Sequence, residues 1–376
     1  MKLAEVCRIV GGGTPSKKNK AYYSGNIPWA SVRDMNNPIL TSTEFRISDE
    51  AVRESATNVI PAGEVIISTH VGLGKVCILA QDTAINQDLK AVIPTVDIDR
   101  RYLYHWFVSQ APKLVAAGKG ATVKGVTVKF VLDLVIPIPS RNSQQSIAKQ
   151  LSLVLECVKK RQAQLARLDA LAKSLFVEMF ETGNYKEVYL EEVVYPDRPI
   201  TYGVVKPGKE VPGGVPIIKV KDFPDGAVKK TNILHASPEI EKGYKRSRVV
   251  TGDLLYSIRG TVGRMAFVPK ELDGANITQD TARVSIDRNR FQPTYIMASL
   301  SVPDIRRVIE GKIKGGAVKG INLSDLRKIK IPLAGQSDQI EFARQIQLID
   351  KSKFAIRKSL DELNRLYRSL LQQYFG

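Results

Sequence analysis

The segment GATVKGVTVKFVLDLVIPIP (residues 120–139) recurs 195 residues later as GGAVKGINLSDLRKIKIPLA (residues 315–334). The two segments align Lys124 with Lys319, and each one ends in an Ile-Pro pair that is followed by a long stretch without proline. Self-similarity at a fixed separation indicates a duplicated structural unit. This segment decides the fold because it marks, twice, the point where a mixed domain ends and a helix begins.

The similarity extends from this segment towards the start of each copy. The matching pairs are VIISTHVGLGKV (65–76) with LLYSIRGTVGRM (254–265), NQD (86–88) with TQD (278–280), and IPWASVRDM (27–35) with VPIIKVKDF (215–223). Short β-branched runs alternate with Gly, Pro, Asn and Asp, which is typical of strands and turns. We therefore predict an α+β fold with two similar strand-rich α/β domains separated by two long helices.

The domain boundaries follow from this order. We predict a first domain at residues 1–140, a first long helix at 141–183, a second domain at 184–335 and a second long helix at 336–376. Each domain also contains a shorter helical pattern, which Pro112 and Pro303 are expected to interrupt.

Both proline-free segments carry apolar residues at the 3,4 spacing of a long helix. The predicted pairing residues are Leu151, Val154, Val158, Leu165, Leu168, Leu175, Ile346, Ile349, Ile356, Leu360, Leu363 and Leu370. Such a seam favours a coiled coil between the two helices, with Arg161 and Lys353 as polar positions that help to fix register. The alternative is that each helix lies alone on its own domain.

The charge balance indicates a polyanionic partner. The chain has 56 Lys and Arg against 38 Asp and Glu, a net charge of +18, and basic side chains gain affinity for nucleic acid by displacing counterions from phosphates. The sequence shows neither a membrane span nor a signal peptide, so we expect a cytoplasmic protein. Cys7, Cys77 and Cys157 have no paired spacing, so we expect buried, reduced thiols and no metal site.

No motif for catalysis is complete. GGGTP (11–15) and GLGK (72–75) lack the Walker A pattern, and no motif for S-adenosylmethionine is visible. Asp304, Glu310 and Lys312 imitate the metal-binding residues of a nuclease, but their segment has a helical pattern. We predict no catalytic residue and no metal.

Basic residues recur at matching places in the two copies. The candidate DNA-binding residues are Lys17, Lys18, Lys20, Arg33, Lys75, Lys119 and Lys124 in the first copy, and Lys206, Lys209, Lys219, Lys221, Arg259, Arg264, Lys312, Lys314 and Lys319 in the second. One aligned position differs, because His70 stands where the second copy has Arg259.

GGGTPSKKNKAYYSGNIPWASVRDM (11–35), ITYGVVKPGKEVPGGVPIIKVKDF (200–223) and GDLLYSIRGTVGR (252–264) occur here with two seam helices. This set resembles the DNA-specificity (S) subunit of type I restriction-modification systems, over essentially the whole chain. The resemblance implies that each domain reads one half of an asymmetric two-part site in double-stranded DNA. It also implies an antiparallel coiled coil that docks two methyltransferase subunits, with restriction subunits as further partners.

The resemblance places S-adenosylmethionine, ATP and Mg on the partner subunits and no cofactor in this chain. Two alternatives remain, a stand-alone DNA-binding regulator and a stand-alone nuclease. An S subunit should expose an apolar helix surface to its partners. The residues considered for this surface, which could equally close the helix bundle, are Val177, Met179, Phe180, Leu371, Tyr374 and Phe375.

Overall fold

The structure is a computed structural model of the chain, and it describes residues 1–118, 125–180, 183, 185–224, 226–316 and 318–376. These residues divide into two compact units. Unit 1 comprises Met1–Ala163 with Ile356–Gly376, and unit 2 comprises Gln164–Ala355. Each unit therefore contains one strand-rich part of the chain and one portion of each long helix.

Unit 1 contains two sheets and several helices. Its elements are α1 (Leu3–Val6), β1 (Cys7–Gly11), β2 (Ile27–Ala30), β3 (Ile39–Leu40), β4 (Phe45–Ile47), α2 (Asp49–Arg53), β5 (Asn58–Ile60), β6 (Val65–Ser68), β7 (Val76–Leu79), β8 (Thr83–Ile85), β9 (Leu89–Pro94), α3 (Arg100–Ala117), α4 (Val128–Leu132) and the first part of α5 (Arg141–Phe180). The sheet orders are β1-β9-β6-β7-β3 and β4-β2-β8-β5.

Unit 2 is built in the same way. Its elements are β10 (Glu187–Tyr189), β11 (Thr201–Tyr202), β12 (Val215–Ile218), β13 (Leu234–Ala236), α6 (Pro238–Lys242), β14 (Leu254–Ser257), β15 (Met265–Phe267), β16 (Asn276–Ile277), β17 (Thr281–Val284), α7 (Pro293–Ser299), α8 (Pro303–Gly311), α9 (Leu323–Arg327), β18 (Lys330–Pro332) and the first part of α10 (Gln336–Phe375). Its sheets are β11-β17-β14-β15, β13-β12-β16 and β10-β18.

The two units share their strand topology. The order β1-β9-β6-β7 matches β11-β17-β14-β15, and β4-β2-β8 matches β13-β12-β16. In both three-stranded arrangements the central strand has one antiparallel and one parallel neighbour. The predicted α+β class with two similar domains is confirmed.

The central strand of each larger sheet is apolar on both faces because both faces are covered. Val65 and Ile67 pack with Tyr102 of α3, while Ile66 between them packs with Ile85 of the second sheet. Successive strand residues point to opposite faces, so a strand between two layers needs a continuous apolar run. Leu254, Leu255 and Tyr256 repeat this arrangement in unit 2.

The long helices pack against each other within each unit. In unit 2, the carboxylate of Asp169 lies 2.6 Å from the ammonium of Lys353, and the rings of Phe176 and Phe342 lie 5.5 Å apart. The partner number falls on α10 as the residue number rises on α5, so this pairing is antiparallel. In unit 1, Tyr374 donates a hydrogen bond of 2.7 Å to Gln150.

The predicted pairing residues lie on the sheltered face of the helices. All twelve are buried or half-buried, and each unit contains contacts between α5 and α10. The alternative of one isolated helix on each domain is therefore wrong. Lys353, a predicted polar interruption of the seam, is paired with Asp169.

A buried glutamine joins the start of each long helix to its own domain. Gln144 accepts from the main-chain N–H of Asp99 and donates to the carbonyl of Pro139, both at 2.9 Å. Gln339 does the same at the start of α10, with the N–H of Gln292 at 3.0 Å and the carbonyl of Ala334 at 2.9 Å. The duplication thus preserves the attachment of each helix as well as the sheets.

Two local expectations were wrong. The interruption expected at Pro112 is wrong, because Pro112 lies inside α3, which continues through it. The interruption expected at Pro303 is confirmed, because α7 ends at Ser299 and α8 begins at Pro303. A proline removes one N–H donor, and an 18-residue helix with its face buried against a sheet tolerates that loss.

Cys7 and Cys77 are buried, but Cys157 is exposed because it lies on the outer face of α5. Burial raises the pKa of both the Cys7 and Cys77 thiols to about 12.

His105 fastens α3 to both long helices in unit 1. Its ring nitrogens form hydrogen bonds of 2.9 Å with the Tyr367 hydroxyl and 3.0 Å with the Ser152 hydroxyl. The side chain is fully buried, and this burial lowers its pKa to about 4, against an opposing effect of Asp99. A neutral imidazole is therefore part of the folded state of unit 1.

We expect this histidine to make unit 1 sensitive to acid. The unfolded chain binds the proton near pH 6.5 and the folded chain only near pH 4, so the stabilisation present above pH 6.5 is lost as the pH falls through 4. One such group accounts for about 3 kcal/mol of unfolding free energy. Denaturant titrations between pH 7 and 4 measure it. The loss should shrink in His105→Gln and persist in His235→Gln; equal loss in all three proteins would contradict this origin.

Candidate nucleic-acid interface

Four loops meet at one end of the sheets in unit 2. We call these loops the second loop surface. They comprise residues 203–206, 258–264 and 278–280, and the two described parts of a fourth loop, 314–316 and 318–320. The main-chain N–H of Ile258 donates to the carbonyl of Asp280 at 2.8 Å, and that of Gly260 to the carbonyl of Lys319 at 2.9 Å. The N–H of Gln279 donates to the carbonyl of Val204 at 3.0 Å. Main-chain hydrogen bonds thus fix segments that are far apart in sequence into one rigid surface.

Arg259 and Gln279 lie side by side on this surface. Nη1 of Arg259 donates to Oε1 of Gln279 at 3.1 Å, and Arg259 is exposed. Arginine and glutamine are the side chains that make paired hydrogen bonds to guanine and adenine edges in the major groove. This pair is therefore suited to contacting bases.

The other basic residues predicted in unit 2 lie at several different places. Lys206, Lys314 and Lys319 are exposed on the second loop surface. Lys219 is half-buried and Lys221 exposed beside it, just after β12. Lys312 is half-buried and lies 4.0 Å from Asp325. Arg264 is half-buried at the end of the second loop surface, and Lys209 is exposed beside the contact of Glu210 with His235.

Unit 1 has an equivalent arrangement, the first loop surface, formed by residues 12–14, 30–33, 69–75, 86–88 and 125–126. The N–H of Thr69 donates to the carbonyl of Asp88 at 3.0 Å, and that of Asn86 to the carbonyl of Ala30 at 3.0 Å. The N–H of Val126 donates to the carbonyl of Thr69 at 2.9 Å. His70 takes the place of Arg259 and Gln87 that of Gln279. The Gln87 side chain accepts from the Thr14 hydroxyl.

The glycines that resemble a phosphate-binding loop have a packing role. A Cβ on Gly12 would lie 2.1 Å from the carbonyl oxygen of Ile85, and one on Gly203 would lie 1.8 Å from that of Ile277. Only glycine allows the chain to pass this close to the end of β8 or β16. The same requirement in both units explains why these glycines occur in each copy.

The basic residues predicted in unit 1 do not all behave alike. Lys17, Lys18, Lys20 and Arg33 are exposed. The ammonium of Lys75 instead donates to the carbonyl of Val32 at 3.1 Å, so it holds a loop in place. Lys119 and Lys124 lie outside the described residues.

Sequence reasoning missed Gln87, Gln279 and Lys90. Lys90 is half-buried beneath the first loop surface and donates to the carbonyl of Gln87 at 2.6 Å; burial lowers its pKa. The shared NQD and TQD triplets carried the signal for both glutamines. Charge alone does not select glutamine as a candidate.

The nuclease alternative loses its geometric basis. Asp304 lies on α8 and pairs with Arg307 on the same helix, and Lys312 faces Asp325. In the part of the chain that the structure describes, His, Cys, Asp and Glu nowhere form a group that could hold a metal ion. The described residues also include no helix that is long and apolar enough to cross a membrane.

Comparison with known proteins identifies the family. The model of the type I restriction modification DNA specificity domain matches residues 1–169 and 204–365, one match in each copy of the repeat. The chain belongs to the type I restriction-modification DNA specificity family. Specificity subunits are non-catalytic, so membership also confirms the prediction that this chain is not an enzyme.

Two relatives indicate how far the similarity extends. The EcoBI specificity subunit of Escherichia coli is 28% identical over 309 residues, which cover 74% of this chain and 65% of that protein. The MjaIX specificity subunit of Methanocaldococcus jannaschii is 29% identical over 230 residues, 59% of this chain and 50% of the relative. This specificity-family chain therefore spans less than two thirds of the length of either relative.

Solved structures show the same fold. The S subunit from M. genitalium has a TM-score of 0.57 at 15% identity, and the comparison covers 100% of this chain and 95% of that one. A chain from a study of complex assembly and conformational transition in a type I system has a TM-score of 0.60 at 20% identity, covering 100% and 96%.

Proposed function

We propose that this specificity-family chain reads an asymmetric, two-part site in double-stranded DNA, one half through each loop surface. The observation that carries the proposal is that one rigid loop arrangement is built twice with different exposed side chains. Hydrogen bonds to base edges supply sequence information, and basic residues around them contact phosphates. Divergence such as His70 against Arg259 allows the half-sites to differ.

The chemistry belongs to partner subunits in this proposal. Two methyltransferase subunits with S-adenosylmethionine dock on the long helices, and restriction subunits add the use of ATP and Mg. All of these act on DNA in the cytoplasm. A stand-alone regulator would need no docking surface.

The exposed apolar residues of the helices favour an assembled protein. Phe180, Leu371 and Phe375 are buried, so these three of the six residues considered for docking close the bundle instead. Large apolar side chains are exposed elsewhere on α5 and α10, and Phe354 is 71% exposed. The others are Leu153, Leu171, Ile340, Leu348 and Leu366. Exposed leucine, isoleucine and phenylalanine side chains on two long helices favour a protein partner there.

Replacement of Arg259 or Gln279 by Ala tests the base-reading assignment. We expect each change to weaken binding to the recognised duplex by about 1–3 kcal/mol and to relax preference at one base pair. Competition titrations against duplexes with single substitutions measure both effects. Lys351→Ala, which removes an exposed cation from α10, is the control. A loss that is uniform across all duplexes would assign Arg259 to phosphate instead.

A further inference from the structure

A basic cleft lies in unit 2 beside the edge strand β11, outside the second loop surface. Its volume is about 540 Å³, which is within the usual range for small-ligand sites. The cationic residues that line it are Arg198, Lys245, Arg246, Arg248, Arg283 and Arg327. Asp197 and Asp273 are the acidic residues at its wall. The cleft is therefore predominantly positive.

Arg283 supplies a buried positive charge to the cleft wall. Its side chain is 3% exposed, and its guanidinium donates to the carbonyls of Arg246, Arg248 and Pro199 at 2.6, 2.9 and 3.1 Å. Its Nε finds no hydrogen-bond partner among the residues that the structure describes. Burial lowers the pKa of this guanidinium, because a charge out of water is unfavourable. The nearby Asp253 is already hydrogen-bonded to Arg198.

The rim of the cleft carries further cations. Lys245 and Arg246 are exposed, and Arg327 is half-buried and donates to the carbonyl of Ile200. Among the described residues, no carboxylate lies within ion-pair distance of any of these three. Clefts lined by one sign of charge concentrate the field and attract counterions.

Unit 1 shows that the fold does not require these arginines. Arg283 pairs with Leu255 in the sheet, and the equivalent partner of Ile66 is Ala91. The aligned sequences place Val59 where unit 2 has Arg248. One unit thus builds the same sheet with apolar residues at places where the other carries buried or clustered charge. Within unit 2 both arginines have local partners, since Arg283 donates to three carbonyls and Arg248 pairs with the buried Glu241. The sheet itself does not need them, so the positive charge around the cleft is a feature of unit 2 and not of the shared fold.

We propose that the cleft is a phosphate-binding site. One source is the DNA backbone flanking the bases read by unit 2, and that source rests on the proposed function. The cleft lies close to the second loop surface along the chain. Ile200 lines the cleft, and Val204, which contacts Gln279, follows it by four residues, or about 13 Å of extended backbone. This is less than one turn of a duplex, about 34 Å. The other source is a free phosphate compound, which needs no DNA.

The double variant Lys245→Ala/Arg246→Ala tests the site in the full chain. Both side chains are at the rim, so the carbonyls that hold Arg283 remain. We expect affinity for specific and scrambled duplexes to fall equally, and the slope of log affinity against log salt to decrease in magnitude by about one for each of the two cations that contacts a phosphate. Lys351→Ala/Lys358→Ala, which removes two exposed cations from α10, should leave the cleft's contribution intact.

A second arm uses inorganic pyrophosphate and no DNA. Calorimetric titration should show binding to the wild type and the control, and at least a tenfold loss in the cleft variant, as about 1.4 kcal/mol corresponds to a factor of ten. Pyrophosphate binding with unchanged DNA affinity assigns the site to a free phosphate compound. No change in either arm overturns the site. Failure of the wild type to bind any DNA would instead reject the proposed function.

Discussion

Exchange of residues 1–140 for the corresponding part of a relative is expected to change one half of the recognised DNA sequence and leave the other half unchanged. The reason is that the hydrogen bonds that hold the first loop surface together lie within unit 1. Each base pair that becomes mismatched should weaken binding to the original site by about 1–3 kcal/mol, so several changes together abolish its recognition.

The donor domain has to keep the residues that hold it on the helices. A suitable relative has tyrosine and histidine at the positions of Tyr102 and His105. His105 bonds to Tyr367 and Ser152, and the Tyr102 ring lies 5.2 Å from that of Phe375, all outside the exchanged segment. Methylation mapping of the exchanged protein with its partner subunits gives both half-sites at once. Altered bases in both halves would show that the two surfaces do not read independently.

Replacement of Phe342 by Ala is expected to destabilise unit 2 by about 3–5 kcal/mol. Phe342 is fully buried, and its ring lies 5.5 Å from Phe176, 5.6 Å from Phe180 and 6.4 Å from Tyr295. These contacts join α10 to α5 and to α7, so the loss removes apolar burial and opens a cavity where three helices meet. Denaturant titration followed by circular dichroism measures the change.

Phe354→Ala is the matched control, because Phe354 is on the same helix and 71% exposed. We expect it to change stability by less than about 0.5 kcal/mol. If both variants unfolded equally easily, the aromatic cluster would not be what holds the helices in unit 2.

Much of this architecture follows from the sequence because its signals are periodic. The 3,4 spacing around Leu151 and Ile346 predicts the helices and their sheltered face, and the repeat predicts two domains of equal topology. Val65, Ile66 and Ile67 form an apolar run too short to separate a strand from a helix by period alone. The repeated turn residues around it indicate a strand.

The features that were missed depend on long-range contacts or on burial. His105 meets Tyr367 across 262 residues, and no local pattern encodes that pairing. Lys75 is used to hold a loop, which its charge alone cannot reveal. Arg283 counts as one more cation in the sequence, yet the sheet buries it beside a cleft. Gln87 and Gln279 were visible as repeated residues, but their position among the loops comes from main-chain bonds.

Methylation sequencing of cells that contain the cognate modification subunit, with and without this chain, tests the account most directly. We expect methylated adenine in a single two-part sequence, with two different halves separated by a gap of unspecified bases, only when this chain is present. The same methylation in its absence, or methylation of one uninterrupted sequence, would contradict recognition of DNA by two separate loop surfaces.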